Sequence, residues 1–189
     1  MRLDFVRSSP DLASLPDSRA EVAVVGRSNV GKSSLINALG GSKALAKVSK
    51  TPGRTQLLNV FSLGNGTTLV DCPGYGYASA PRTLVHSWQK MAEQYLLGRD
   101  VLVMILVLVD GEIGPTKLDL QMFEWLDANE LPYAVVATKH DKVKASVREK
   151  RKRELADQCG VDRTQVIWVS AHKGTGIDRL RGLITEWLA

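Results

Sequence analysis

Cysteine is scarce in this chain of 189 residues, which holds only Cys72 and Cys159. Two cysteines cannot build the disulfide framework of a small secreted domain, and their spacing matches no metal site. Long apolar runs are missing as well. The longest, Val101 to Val109, is too short to span a bilayer, and Met1-Arg2-Leu3-Asp4-Phe5 lacks the apolar stretch of a signal peptide. There is no internal repeat and no low-complexity linker. What remains is a chain 44% hydrophobic, enough to bury a core, with 25 Lys plus Arg against 20 Asp plus Glu. These figures predict a soluble, cytoplasmic, monomeric α/β protein without a membrane partner. Its formal charge of +5 permits a nucleic-acid partner without requiring one.

Strand-like and helix-like segments alternate along the chain. Ala20 to Val25, Leu57 to Leu63, Thr67 to Val70, Val101 to Val109, Tyr133 to Ala137 and Val166 to Val169 read as six strands. Gly64-Asn65-Gly66 predicts a hairpin between the second and third. Helical patterns cover Lys32 to Leu39, Thr83 to Leu97, Thr116 to Asn129, Val143 to Cys159 and Ile177 to Leu188. Such alternation predicts a six-stranded, mostly parallel sheet with helices on both faces. Residues 1–19, with Pro10 and Pro16, read as an extended arm ahead of a domain over residues 20–189.

One string carries most of the chemistry. Gly26-Arg27-Ser28-Asn29-Val30-Gly31-Lys32-Ser33 is a complete G-x-x-x-x-G-K-S at a strand-to-helix junction. Its glycines let backbone N–H groups converge on an anion ahead of the positive end of a helix. Lys32 can reach β- and γ-phosphates, and the Ser33 hydroxyl is a hard ligand suited to Mg²⁺. Three further strings end strands on the same predicted edge. In Asp71-Cys72-Pro73-Gly74 the carboxylate can hold Mg²⁺ through water, and the Gly74 N–H can meet a γ-phosphate. In Thr138-Lys139-His140-Asp141 the final carboxylate can accept from the N1–H and N2–H₂ of guanine, donors that adenine lacks in that arrangement. At Ser170-Ala171 a backbone N–H can donate to the guanine O6. Guanine nucleotide is therefore favoured over the competing reading, an ATP-dependent P-loop enzyme such as a small kinase.

These strings resemble those of the EngB (YihA/YsxC) family of bacterial ribosome-assembly GTPases, within the translation-factor-related G domains. The resemblance runs through Phe5-Val-Arg-Ser-Ser-Pro10, Gly26-Arg-Ser-Asn-Val-Gly-Lys-Ser-Ser-Leu-Ile-Asn37, Thr51-Pro-Gly-Arg-Thr-Gln56, Asp71-Cys-Pro-Gly-Tyr-Gly-Tyr-Ala78 and Thr138-Lys-His-Asp-Lys142. It implies a Ras-like P-loop G domain that binds GTP and GDP and hydrolyses GTP slowly. It also implies a switch role in assembly of the large ribosomal subunit and a requirement for normal cell division and septation. By the same resemblance Thr55 closes on Mg²⁺ as the switch I threonine, alongside Ser33 and Asp71. The nucleotide-contacting set extends to Ser34, to Gly53, Arg54, Gln56 and Leu57 in switch I, and to Val169 beside Ser170. Thr138 stands where an N-K-x-D motif has Asn, and loss of that amide predicts modest guanine affinity. Ala171 stands where a second Ser is frequent, a change that a backbone donor tolerates.

The catalytic set is Lys32, Thr55, Gly74 and Asn29. A Gln beside the switch II glycine orients water in Ras-type hydrolysis; here Tyr75 occupies that place. The water-positioning group is thus absent, supplied by backbone, or brought by a partner. In related GTPases a P-loop asparagine such as Asn29 helps hold an activating K⁺; the plainer reading is a residue that braces the loop. Arg54 is either a finger supplied in cis or a solvated switch residue. Tyr75 and Tyr77 could form an exposed contact surface that depends on the nucleotide.

Charge is concentrated. Residues 139–153 carry eight basic side chains against Asp141 and Glu149, and residues 41–56 carry Lys43, Lys47, Lys50 and Arg54 with no acid. The first cluster is either a solvated helix face or a phosphate-tracking surface for the ribosomal large subunit or its rRNA. His86, His140 and His172 show no metal spacing. Trp125, Trp168 and Trp187 read as core or core edge, and Cys72 as a small packing residue.

Overall fold

A computed structural model describes residues 1–42, 45–46, 57–76 and 82–189, the side chains of residues 82–89 excepted. Seven strands form one sheet in which β1 (Asp4–Ser9), β3 (Leu58–Gly64), β4 (Thr67–Asp71), β2 (Ala20–Gly26), β5 (Leu102–Asp110), β6 (Tyr133–Thr138) and β7 (Val166–Trp168) lie side by side in that order. β1–β3 and β3–β4 pair antiparallel, and every other pair is parallel. The sheet therefore has one strand more than the six expected. The extra strand comes from the segment whose sequence suggests a loose arm: Asp4 pairs with Ser62 and Ser9 with Leu58. Phe5 packs edge-on against Phe61 there.

The apolar runs are continuous because their strands are covered on both faces. Within β5, Ile105, Val107 and Val109 face one core while Leu106 and Leu108 face the other. The first core is closed by α2 (Arg82–Gly98), α3 (Lys117–Ala128) and α4 (Arg148–Cys159) through Tyr95, Leu96, Phe123, Leu126, Leu155 and Ala156. The second is closed by α1 (Lys32–Gly40) and α5 (Ile177–Trp187) through Leu35, Ile36, Leu39, Leu180 and Ile184. Trp125 and Trp168 pack against the first core and Trp187 against the second. α4 begins five residues later than its pattern predicts. Two short 3₁₀ turns, His140–Lys142 and Ala145–Val147, precede it, and the Val143 carbonyl accepts from the Arg148 guanidinium instead of a helical N–H.

At the edge where β2 begins, Glu21 is fully buried yet completely partnered. It accepts from Thr68 at 2.5 Å, Tyr95 at 2.9 Å and Arg99 at 3.0 Å, while Arg99 also reaches the Pro16 carbonyl at 2.7 Å. A buried ion pair survives only when its remaining hydrogen-bonding capacity is met. This one ties the segment before β2 to β4 and α2. The opposite edge is left for the strand-end motifs.

Candidate functional site

The parallel strands all deliver their carboxyl ends to one edge, the place where open α/β sheets hold ligands. The loop from Gly26 to Gly31 leads from β2 into α1. Asn29 takes a left-handed φ of 63° and Gly31 a φ of 110°. Asn is among the few non-glycine residues that enter this region readily, whereas the second value calls for glycine. α1 starts at Lys32 with no side-chain cap on Gly31 and no acid in its first turn. The amino-terminal N–H groups of a helix need a partner, so an uncapped end without competing carboxylates suits an anion.

Asp71, at the end of β4, is buried, and among the described residues its Oδ1 has no hydrogen-bond partner. Lys32 Nζ lies 3.7 Å from that oxygen. Burial pushes the Asp71 carboxyl up from its ordinary range, while Lys32 and a hydrogen bond from Asn59 draw it down. Asn59 in turn accepts from Ser8 of β1 at 2.6 Å, so the added strand braces this carboxylate. A buried, unpartnered carboxylate oxygen beside the start of the helix that carries Ser33 suits a hard divalent cation and its water shell. Gly74 follows so closely that a Cβ there would lie 3.2 Å from the Ser28 backbone and 3.3 Å from Lys32 Nζ. A side chain there would force the loop backbone to give way by a few tenths of an ångström. Between them Cys72 and Pro73 are buried. Cys72 packs into the core, and burial pushes its thiol well above the usual range, which fits an inert packing residue.

At the other end of the edge a cleft of ≈ 370 Å³ opens between Gly31, Ser34 and Leu35 on one side and Thr138, Lys139, Asp141, Val169, Ala171 and His172 on the other. Thr138 is buried, and its hydroxyl sits 2.7 Å from the Val30 carbonyl and 3.1 Å from that of Val109. The hydroxyl thus ties the end of β6 to the phosphate loop. Lys139 has a left-handed φ of 56°, and its ammonium reaches Asp110 Oδ2 at 2.5 Å. The His140 ring lies against Trp168, and its backbone N–H donates to the Val169 carbonyl. Asp141 Oδ1 accepts from the Ser170 hydroxyl at 2.6 Å, and that bond holds the carboxyl below its ordinary range.

The structure therefore brings residues 26–34, 71–74, 138–141 and 169–171 to one edge. Gly53, Arg54, Thr55 and Gln56 lie outside the described residues, as does Tyr77, and Leu57 is exposed at the head of β3. Tyr75 departs from its expected role as an exposed contact. It is half-buried, and its hydroxyl donates to Asp119 Oδ1 at 2.7 Å. Sequence reasoning missed Asp110, Asp119 and Asn59. Asp110 could have been found as the carboxylate that ends the apolar β5 run; nothing in the sequence marks the other two. The basic cluster is also less free than its composition suggests. Arg151 donates to the Gly111 and Glu112 carbonyls, and Lys152 pairs with Glu149 at 3.0 Å.

Comparison with known proteins is consistent with this site. Residues 21–139 match a family model described as 50S ribosome-binding GTPase. A solved structure of a probable GTP-binding protein EngB superposes with a TM-score of 0.74 at 26% identity, covering 89% of this chain and 98% of the other. Era of Aquifex aeolicus bound to GDP and aluminium fluoride superposes with a TM-score of 0.71 at 29% identity, over 89% of this chain and 56% of Era. Fold and site together define a P-loop GTPase. The chain is 46% identical over 187 residues to the probable GTP-binding protein EngB of Roseobacter denitrificans, spanning 97% of this chain and 87% of that one. It is 45% identical over 191 residues to the protein of the same name in Pasteurella multocida, spanning 98% and 92%. It belongs to the EngB family of GTP-binding proteins, whose general reaction is the hydrolysis of GTP.

Proposed function

We propose that this chain binds GTP and GDP with Mg²⁺ at the described edge, hydrolyses GTP slowly, and acts as a nucleotide-dependent switch on the large ribosomal subunit. The observation that carries the reading is one continuous edge. It joins an uncapped helix start, a buried carboxylate with one oxygen free of hydrogen bonds among the described residues, and a cleft lined by Asp141. The loop N–H groups and Lys32 would hold the β- and γ-phosphates, and Asp141 would select guanine. Ser33 and, through water, Asp71 would hold Mg²⁺, which neutralises charge on the phosphate oxygens when bound. Thr55 and the other switch I residues complete the set by resemblance.

Slow hydrolysis follows from Tyr75. Its hydroxyl proton goes to Asp119 at 2.7 Å, and the position offers no amide to hold a water. Asn29 remains the residue through which K⁺ could act, although its left-handed backbone already accounts for an asparagine there. Hydrolysis compared in KCl and NaCl at equal ionic strength, for the parent and Asn29→Ala, separates the two readings. A rate independent of the cation removes K⁺.

The ribosomal role rests on the family description and on exposed cations around α4. Era, a structural neighbour, has been solved with MgGDPNP and a segment of 16S ribosomal RNA, which makes RNA a reasonable partner class. A cytoplasmic monomer involved in division and septation is the wider setting that the resemblance suggests. Among the described residues no helix is long and apolar enough to cross a membrane. Cosedimentation with ribosomal subunits under GDP, GTP and a non-hydrolysable analogue, across a salt series, tests the proposal. Binding that ignores the nucleotide would remove the switch and leave the GTPase.

A further inference from the structure

Asp119 is a buried carboxylate, 1% exposed, in the first turn of α3, far along the chain from every motif described above. Its Oδ2 accepts from the Thr116 N–H and the Thr116 hydroxyl, both at 2.7 Å, closing the start of the helix. That pairing alone would satisfy a helix cap. Its Oδ1 has a different partner, the Tyr75 hydroxyl at 2.7 Å. Burial, with the Asp119 charge adding to it, pushes that hydroxyl far above its usual range, so it remains a donor throughout the physiological range.

The main chain of the same tyrosine closes on the phosphate loop. The Ser28 N–H donates to the Tyr75 carbonyl at 2.9 Å, and Tyr75 bridges to Arg27 as a parallel pair. One residue therefore spans two bodies: its side chain is fixed to α3 and its carbonyl to the loop. Gly74, immediately before it, lies against Ser28 and Lys32. In the proposed site the Ser28 backbone borders the γ-phosphate position. A carbonyl oxygen held there by a loop N–H carries partial negative charge into the region where a third phosphate adds more. In the proposed site the β-phosphate lies deeper in the loop and feels that charge less.

We propose that Tyr75 and Asp119 form a latch that sets the discrimination between GDP and GTP. The Tyr75–Asp119 hydrogen bond stabilises a position of switch II that a γ-phosphate opposes and GDP tolerates. A ligand shifts such an equilibrium only by its differential affinity for the two positions, so weakening the latch must favour GTP over GDP. Asp119 is then a positioning residue that acts through Tyr75, and neither need touch the nucleotide. This inference rests on the reading of the loop as the phosphate site.

The test uses the full chain with three substitutions. Tyr75→Phe keeps the ring and removes the hydroxyl. Asp119→Asn keeps the shape and removes the charge. Thr116→Val removes the other hydroxyl bond to the same carboxylate without touching Tyr75. Dissociation constants for GDP and for a non-hydrolysable GTP analogue are measured for each by titration, together with melting temperature. Hydrogen bonds to charged groups predict a shift of about tenfold in the ratio of the two constants, toward the GTP analogue, in Tyr75→Phe and Asp119→Asn. Thr116→Val is expected to lower the melting temperature and leave the ratio unchanged. A parent that binds both nucleotides and a Tyr75→Phe protein with the parental ratio would overturn the latch alone. Equal weakening of both nucleotides would do the same, since it reports a structural role. A folded parent that binds neither would overturn the reading of the site, and the latch with it.

Discussion

The Thr138 hydroxyl lies 2.7 Å from the carbonyl oxygen of Val30, joining the end of β6 to the middle of the phosphate loop. The Val109 carbonyl, at 3.1 Å, shares the same donor. Replacing Thr138 with Val keeps volume and branching but deprives two carbonyls of their hydroxyl partner. A buried acceptor left unsatisfied costs about 1–3 kcal/mol. We expect Thr138→Val to lower stability by about that amount and to weaken GDP binding at least about fivefold. Thermal unfolding with and without GDP, together with nucleotide titration, measures both effects. Unaltered GDP affinity would show that the tether does not shape the loop.

Base selection is predicted to follow the protonation of Asp141. The Ser170 hydroxyl holds its carboxyl below the ordinary carboxylate range. A depressed carboxyl stays ionised until the pH falls through its lowered value, so its interactions are present above the ordinary range and lost only beneath it. The contribution of Asp141 to guanine selection, read as the affinity for GDP relative to ADP, should therefore be flat between about pH 8 and pH 5. Ser170→Ala removes the largest cause of the depression, and loss of affinity on acidification should then begin at higher pH. Asp141→Asn presents a donor where guanine also donates, and should favour xanthine over guanine nucleotides. Competition titrations across the pH series report both outcomes.

The Glu21–Arg99 pair gives a contrasting prediction, since it lies at the edge opposite the cleft. Arg99→Met would leave a buried carboxylate with, among the described residues, only the Thr68 and Tyr95 hydroxyls as partners. Breaking one side of such a pair costs about 3–5 kcal/mol. Denaturant unfolding should show that loss as a lower midpoint at constant slope. GDP affinity of the folded fraction should be unchanged. A matching loss of nucleotide affinity would mean that the two edges are coupled.

Much of this is readable in the sequence because the phosphate loop, the strand-end carboxylates and the apolar runs are local patterns. Gly26 to Ser33 announces its own geometry, and β5 announces burial on both faces. β1 is not readable as a strand, because Phe5 and Val6 are exposed on an edge and show no buried periodicity. Its place depends on pairing with β3, about fifty residues away. The Tyr75–Asp119 contact has the same origin. Asp119 reads as an ordinary first-turn acid of an amphipathic helix, and only packing of α3 beside switch II gives it a second partner. Thr138 reads as the loss of an amide because sequence reports which group is present, while the tether depends on whether any donor reaches Val30.

The cationic helix supplies the last prediction, because the structure divides its charges into two kinds. Arg148 and Arg151 are half-buried and serve the fold: Arg148 donates to the Val143 carbonyl, and Arg151 clamps the turn after β5 through Gly111 and Glu112. Lys144, Lys150 and Arg153 are exposed, and Lys150 approaches Glu154 at 3.7 Å, an ion pair of little strength in water. A surface that tracks phosphates must use charges that can leave their intramolecular partners. Replacing Lys144, Lys150 and Arg153 with Ala should therefore weaken cosedimentation with ribosomal subunits while leaving the melting temperature within about 1–2 °C of the parent. For every phosphate no longer neutralised, the slope of log affinity against log salt should fall by about 0.7–0.9. Arg151→Ala should do the reverse, lowering stability through the freed carbonyls with a smaller change in the salt slope. If the triple variant sediments as the parent does at every salt concentration, α4 is a solvated face and the ribosomal interface lies elsewhere on the molecule.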